Sequence, residues 1–225
     1  MKLSTDTLNV LKNFSTINSN IVINEGSVVK TMAEAKNVMA SADIAESFEG
    51  SFGIYDLGEF LSVHGMFDDP ELEFADDMNS LTIKEGRSSV KYFFSDPSIL
   101  TTPSKDIKMP STDVCFSLSA EELASIRRAA TALGCSEFVV TENDGELIGS
   151  VTDTKNSTSN TFTIELSKDG DLGVEGFSYV FSIPNLKLIG GDYTVEISNK
   201  LISQFRNESG VKYFVALEKS SKVGE

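Results

Sequence analysis

Apolar residues first recur at helical spacing behind Ser4, at Leu8 and Leu11, and the same arrangement returns behind Ser119, at Leu123 and Ile126. Ser is a preferred N-cap residue, so each stretch reads as a capped amphipathic helix, the first over residues 4–17. Lys12 and Arg127 occupy matching places in the two helices. Ser119 is followed three residues on by Glu122, the spacing of a capping box. After each helix the pattern changes to strand: Ile21-Val22-Ile23 with a turn at Asn24-Glu25-Gly26, and Phe138-Val139-Val140 with a turn at Asn143-Asp144-Gly145. A Gly there suits the positive φ of a hairpin, so both turns are expected to close hairpins.

Further strands are expected at 28–32, 38–42 and 52–55, then a short helix capped by Asp56 with Leu57, Phe60 and Leu61 on one side. Strands near Leu72, 81–83 and 90–94 complete the half. In the second half a strand over 177–181 leads into a short helix over 183–188, with Pro184 at its first position, where a missing N–H costs nothing. Strands at 193–197, 201–205 and 211–217 finish it as a meander. Asp169-Gly170-Asp171 reads as a hairpin turn.

The closing strands repeat almost letter for letter. Val90-Lys91-Tyr92-Phe93-Phe94 returns as Val211-Lys212-Tyr213-Phe214-Val215. With the paired helices this marks a duplication, giving an α+β chain of two similar domains, 1–95 and 112–225. The connector, 96–111, carries Pro97, Pro103 and Pro110, which favour an extended strap. Its Ile99, Leu100, Ile107 and Met109 are apolar for a linker, so the strap either packs on its domains or borders a groove that receives a partner.

Composition narrows the classes. The 225 residues suffice for two domains, each with its own core. Apolar content is 40%, no run approaches the roughly 20 residues of a membrane helix, and the opening Met1-Lys2-Leu3-Ser4 is no signal peptide. Cys115 and Cys135 are expected to be reduced thiols of a cytoplasmic protein.

Net charge is −15, which taken whole argues against nucleic acid, because phosphate contacts need Lys and Arg. The distribution changes that picture. Despite 34 acidic residues, none falls between Thr7 and Asn24 or between Leu123 and Ser136. The polar faces of both opening helices, with Asn9, Lys12, Asn13 and Thr16 in one and Arg127, Arg128 and Thr131 in the other, are therefore free of acid. Ordinary surface patterning and an anion-facing role both fit.

Catalytic chemistry finds no constellation. His64 is the only histidine, and no Gly-rich phosphate loop of the Walker kind occurs. Asp68-Asp69-Pro70-Glu71 with Glu73, Asp76 and Asp77 lacks calcium-loop spacing and reads as a solvated turn. No catalytic residue, metal ligand or cofactor is expected. The 15 Phe residues read as core; aromatics lie beside a base mainly at Lys91-Tyr92 and Lys212-Tyr213, where packing is the simpler use.

Several blocks carry a family resemblance. They are Met1-Lys2-Leu3-Ser4 with Asp6-Thr7, then Leu11-Lys12-Asn13-Phe14 with Thr16-Ile17-Asn18-Ser19 and Ile21. Ile54-Tyr55-Asp56-Leu57 with Phe60-Leu61, Asp96-Pro97-Ser98, Ala120-Glu121 with Leu123, and Tyr213 with Val215-Ala216-Leu217-Glu218 continue them over nearly the whole length. In order and spacing the chain resembles the sliding clamps, the DNA polymerase processivity factors of T-even-type bacteriophages.

The resemblance implies two clamp domains per subunit and a homotrimeric ring, with antiparallel sheets outside and helices lining a central channel around duplex DNA. It implies Lys2, Lys12, Arg127, Arg128 and Lys187 as DNA-facing residues, making sequence-independent phosphate contacts. A second implied site takes tail peptides of the replicative DNA polymerase and other replication proteins in an apolar pocket at Leu100, Ile107, Met109, Pro110, Phe214, Ala216 and Leu217. Alternation sets Phe214 and Ala216 on one face and Val215 and Leu217 on the other, so at most one pair lines that pocket. An ATP-dependent clamp loader, phage transcription factors and the cytoplasm of an infected bacterial host complete what is implied, with no membrane partner. Two other readings remain: a monomeric DNA-binding processivity factor, and a duplicated β-rich structural protein without a DNA role.

Overall fold

The computed structural model describes residues 1–103, 107–170 and 174–223. Ser104, Lys105 and Asp106 of the expected connector, and Asp171 of the expected 169–171 turn, lie outside the described residues. The chain forms two compact units, Met1–Asp106 and Ile107–Glu225.

In the first unit α1 spans Thr5–Ile17, and the Ser4 hydroxyl accepts the Thr7 N–H at 3.2 Å. A second anchor reaches across the fold, where the Glu46 carboxylate accepts the Ser4 N–H and the Thr7 hydroxyl. The buried stripe of α1 is Thr7, Val10, Leu11, Phe14 and Ile17. Leu8, expected at its centre, is only half-buried, because at 3.6 residues per turn the stripe centres between Val10 and Phe14.

The strands that follow among the described residues are β1 Ile21–Ile23, β2 Gly26–Met32, β3 Val38–Phe48, β4 Phe52–Ile54, β5 Glu71–Phe74, β6 Ser80–Glu85 and β7 Ser88–Phe93. All pairings in the unit are antiparallel: β1 with β4, β2 with β3, and β5-β6-β7 in order. The expected hairpin at Asn24-Glu25-Gly26 does not form, since β1 and β2 pair with different strands. Gly26 spends its φ of 106° on a bend, and the first hairpin turns at 33–37, where Ala33 N–H meets the Val38 carbonyl at 2.9 Å. Between β4 and β5, α2 (Leu57–His64) is capped by Asp56, whose carboxylate accepts the Glu59 N–H at 2.9 Å, and it packs on α1. The connector, expected to be extended, begins with one 3-10 turn, Pro97–Ile99, capped by Asp96. Pro can open a helical turn because its missing N–H would have no intrahelical acceptor there.

The second unit contains β8 Val114–Leu118, α3 Ala120–Leu133, β9 Glu137–Asn143, β10 Glu146–Thr152, β11 Phe162–Lys168, β12 Ser178–Ser182, β13 Tyr193–Ser198, β14 Ile202–Arg206 and β15 Val211–Ala216. Among the described residues its strands are ordered β12-β9-β10-β11-β8-β13-β14-β15, and neighbours run antiparallel. The capping box of α3 is complete: Ser119 Oγ accepts the Glu122 N–H at 3.2 Å, and Glu122 Oε2 accepts the Ser119 N–H at 2.7 Å. Leu123, Ile126 and Ala130 bury one face of α3, and Gly134 at φ 65° ends it. Here the expected hairpin does form, with Asp144 and Gly145 at φ 52° and 81° between β9 and β10.

The short helix expected over 183–188 shrinks to a 3-10 turn, Ile183–Asn185, so Lys187 follows the turn instead of lying on a helix. Leu186 and Leu188 are both buried, and an alternation of that kind suits extended backbone better than a helix. The repeated strand takes two roles: β7 is a largely exposed edge, while Tyr213 of β15 is fully buried.

Candidate nucleic-acid interface

The outward face of α1 exposes Asn9, Lys12 and Thr16, and that of α3 exposes Arg128 and Thr131. The caps explain both faces. Acidic residues are confined to the first turns, where the helix dipole favours them and Glu122 is committed to its box, leaving the rest of each face neutral or basic. Arg128 Nη2 donates to Ser125 Oγ at 2.8 Å, one turn earlier, which steadies the guanidinium on the surface.

Lys12 has a neighbour on α2. His64, the last residue of that helix, is buried, and its Nε2 lacks a hydrogen-bond partner. Burial lowers its pKa, and the positive charge of Lys12 lowers it further. Burial and the Lys12 charge thus both favour the neutral imidazole.

Arg127 stands differently from Arg128. It is half-buried, and its Nη2 donates to the carbonyls of Leu186 at 2.9 Å and Leu188 at 3.0 Å. The intervening Lys187 is exposed. Two tyrosines complete the surroundings: the Tyr193 hydroxyl donates to the Ile189 carbonyl at 2.7 Å, and the Ile189 N–H donates to the Tyr213 hydroxyl at 3.1 Å. Burial pushes the Tyr213 pKa up to about 12, so the phenol is neutral at working pH. The sequence pattern singles out neither tyrosine for this place; the one available signal is that a buried Tyr needs a polar partner for its hydroxyl.

Lys2 lies away from such company. It forms an ion pair with Asp69, and the Glu85 carboxylate accepts the N–H groups of Asp68 and Asp69 at 3.2 and 2.9 Å. The acidic turn is tied down by hydrogen bonds, and among the described residues no group of three His, Cys, Asp or Glu side chains is placed to hold a metal ion. Cys115 and Cys135 are free thiols.

The residues expected to take peptides divide by exposure. Leu100 is buried in the first unit, where its side chain closes over Gly53. In the second unit Phe214 and Leu217 are buried, Met109 and Ala216 half-buried, and Ile107 and Pro110 exposed. A groove of about 770 Å³ also opens in this unit, where Ser117, Ser119, Glu122, Asp192, Arg206 and Ser209 stand beside Leu118 and Tyr193, a mixed lining.

Over 223 residues the chain is 33% identical to a sliding clamp of Vibrio phage KVP40, covering 97% of this chain and 99% of that protein. The chain belongs to the sliding-clamp family. A sliding clamp of Enterobacteria phage T4 is 29% identical over 98% of both chains. Family models agree half by half, with residues 4–100 matching the DNA polymerase processivity factor model and 115–219 the C-terminal gp45 sliding-clamp model. This is a sliding clamp, a DNA polymerase processivity factor. The fold carries the likeness further than the sequence does. A. fulgidus PCNA, solved with the C-terminal region of FEN-1, superposes at a TM-score of 0.71 with 15% identity over 96% of each chain. The H. pylori beta clamp gives 0.68 with 20% identity over 98% of this chain and 64% of that one. No helix among the described residues is long and apolar enough to cross a membrane.

Proposed function

We propose that three copies of this clamp close head to tail into a ring around duplex DNA and tether the replicative polymerase without catalysing any reaction. Heterologous interfaces of that kind generate cyclic symmetry when the rotation closes. The observation that carries the reading is the pair of acid-free helix faces, exposing Lys12 and Arg128, in a chain of net charge −15. Lys187 adds a third exposed cation. Few, sequence-blind phosphate contacts suit a protein that must slide, and the acidic remainder repels DNA from other surfaces.

Partners follow from the same reading: an ATP-dependent loader opens the ring, and tail peptides of the polymerase and of phage transcription factors dock at the apolar residues of the second unit. Support for peptide docking comes from the A. fulgidus PCNA structure with the C-terminal region of FEN-1 and an H. pylori beta clamp bound to a DNA ligase peptide. Ile107, Met109 and Pro110, less buried than Phe214 and Leu217, are the best placed to touch such a peptide. The site of action is the cytoplasm of an infected bacterial host.

Charge reversal tests the DNA-facing reading. Lys12→Glu with Arg128→Glu should shorten the products of processive synthesis while the circular dichroism and melting curve stay those of the unaltered protein. Unchanged product lengths would remove the two helix faces from the mechanism.

A further inference from the structure

The contacts of Arg127 give it a task that its position on a DNA-facing helix does not reveal. The segment from Leu186 to Ile189 is not helical, so its carbonyls have no i+4 donors, yet Leu186 and Leu188 are buried on either side of Lys187. A carbonyl enclosed without a donor is costly, and those of Leu186, Leu188 and Ile189 each have one. Arg127 Nη2 serves Leu186 and Leu188, the Tyr193 hydroxyl serves Ile189, and the Ile189 N–H is taken by the Tyr213 hydroxyl. The segment is thus fastened on both sides of its one exposed cation.

The first unit explains why an arginine is needed. There the corresponding place is held by α2, a real helix that satisfies its own carbonyls, and the matching α1 residue is Lys12, an exposed cation. Where the helix is missing, its backbone donors must come from a side chain. A planar guanidinium can deliver an N–H toward each of two carbonyls in fixed geometry, which an ammonium on a flexible stem does less well.

We propose that Arg127 is a positioning residue that holds the Leu186–Ile189 segment so that Lys187 meets the phosphate backbone, instead of touching phosphate itself. This rests on the proposed DNA-facing role of the helix faces. The task of Arg127 is separable from that of Arg128, which bonds Ser125 on its own helix and reaches no part of this segment through that bond.

Duplex affinity measured across a salt series, at protein concentrations high enough to detect binding without a loader, separates the roles. Loss of one phosphate contact lowers the log–log salt slope by about 0.9. Lys187→Met should show that loss. Arg127→Lys keeps the charge and gives up the planar guanidinium whose Nη2 bridges the two carbonyls, so a positioning role predicts the same fall in slope, with Arg127→Lys/Lys187→Met no worse than Lys187→Met alone. A direct phosphate contact predicts instead that Arg127→Lys retains the native slope, or that the two losses add; either result overturns the proposal. If Lys187→Met binds as the native clamp does, the DNA-facing role of this segment fails and the proposal fails with it. Tyr193→Phe releases the Ile189 carbonyl without altering Arg127 and guards against a folding defect in Arg127→Lys. A smaller fall in slope is expected from it, at a modestly lower melting temperature with an unchanged circular dichroism spectrum, and a native slope in both variants while Lys187→Met is impaired overturns positioning alone.

Discussion

Glu46 is pushed toward higher pKa by burial, but hydrogen bonds from the Thr7 hydroxyl and the Ser4 N–H pull harder and hold it below its ordinary 4.5. A carboxylate depressed on folding stabilises above its unfolded pKa, and that contribution is lost as pH falls through the folded value. His64 behaves in the opposite chemical sense with the same pH direction. Its pKa is lowered from 6.5, so the unfolded chain binds the proton first, and stability is full above about 6.5 and falls as pH drops below it. Thermal melts on acidification should therefore show two losses, an upper one absent in His64→Leu and a lower one, shared with the depressed carboxyls of Asp77, Asp96 and Asp113, that is smaller in Glu46→Gln. At Gly53 the effect is steric. A Cβ there would lie 2.6 Å from Leu100 Cδ1 and 2.6 Å from the Ser95 carbonyl, so Gly53→Ala should cost about 1–3 kcal/mol in denaturant titration.

Helix α3 carries the largest stock of local instructions. Its capping box, the Asp192 carboxylate that accepts the Ala120 N–H at 2.7 Å, and Gly134 in left-handed backbone all act on its ends. Ser119→Ala should lower stability by about 1 kcal/mol, read as a shifted urea midpoint with unchanged slope. Most such instructions are legible in consecutive residues: Ser4, Asp56 and Ser119 cap where their spacing places them. Asn24-Glu25-Gly26 misleads because a positive-φ glycine fits a bend as well as a hairpin, and only pairing partners distinguish the two. Likewise Pro184 permits a helical turn without specifying its length. The alternate burial of Leu186 and Leu188, which the pattern alone does not disclose, ends it at Asn185.

At the scale of the whole molecule the prediction is topological. A closed ring should be retained on circular DNA after loading and lost once the circle is cut, whereas a charge-only binder would be indifferent to free ends. Solution mass should correspond to three chains at micromolar concentration; a monomer that fails to assemble on DNA would sink the ring. Salt provides a further check on the same state, because sliding contacts weaken with ionic strength while encirclement persists.

The sequence by itself determined the duplication, the helix starts, the acid-free faces and the family, because capping, periodicity and charge are local properties written in consecutive residues. Tertiary structure alone decided which cations are available. Lys2 is bound to Asp69, and Arg127 is turned inward onto two carbonyls, while Lys12 and Arg128 stay at the surface. Partners far apart in the chain make that choice: Leu186 and Leu188 become acceptors only when the fold brings them to α3 with no helix of their own to satisfy them.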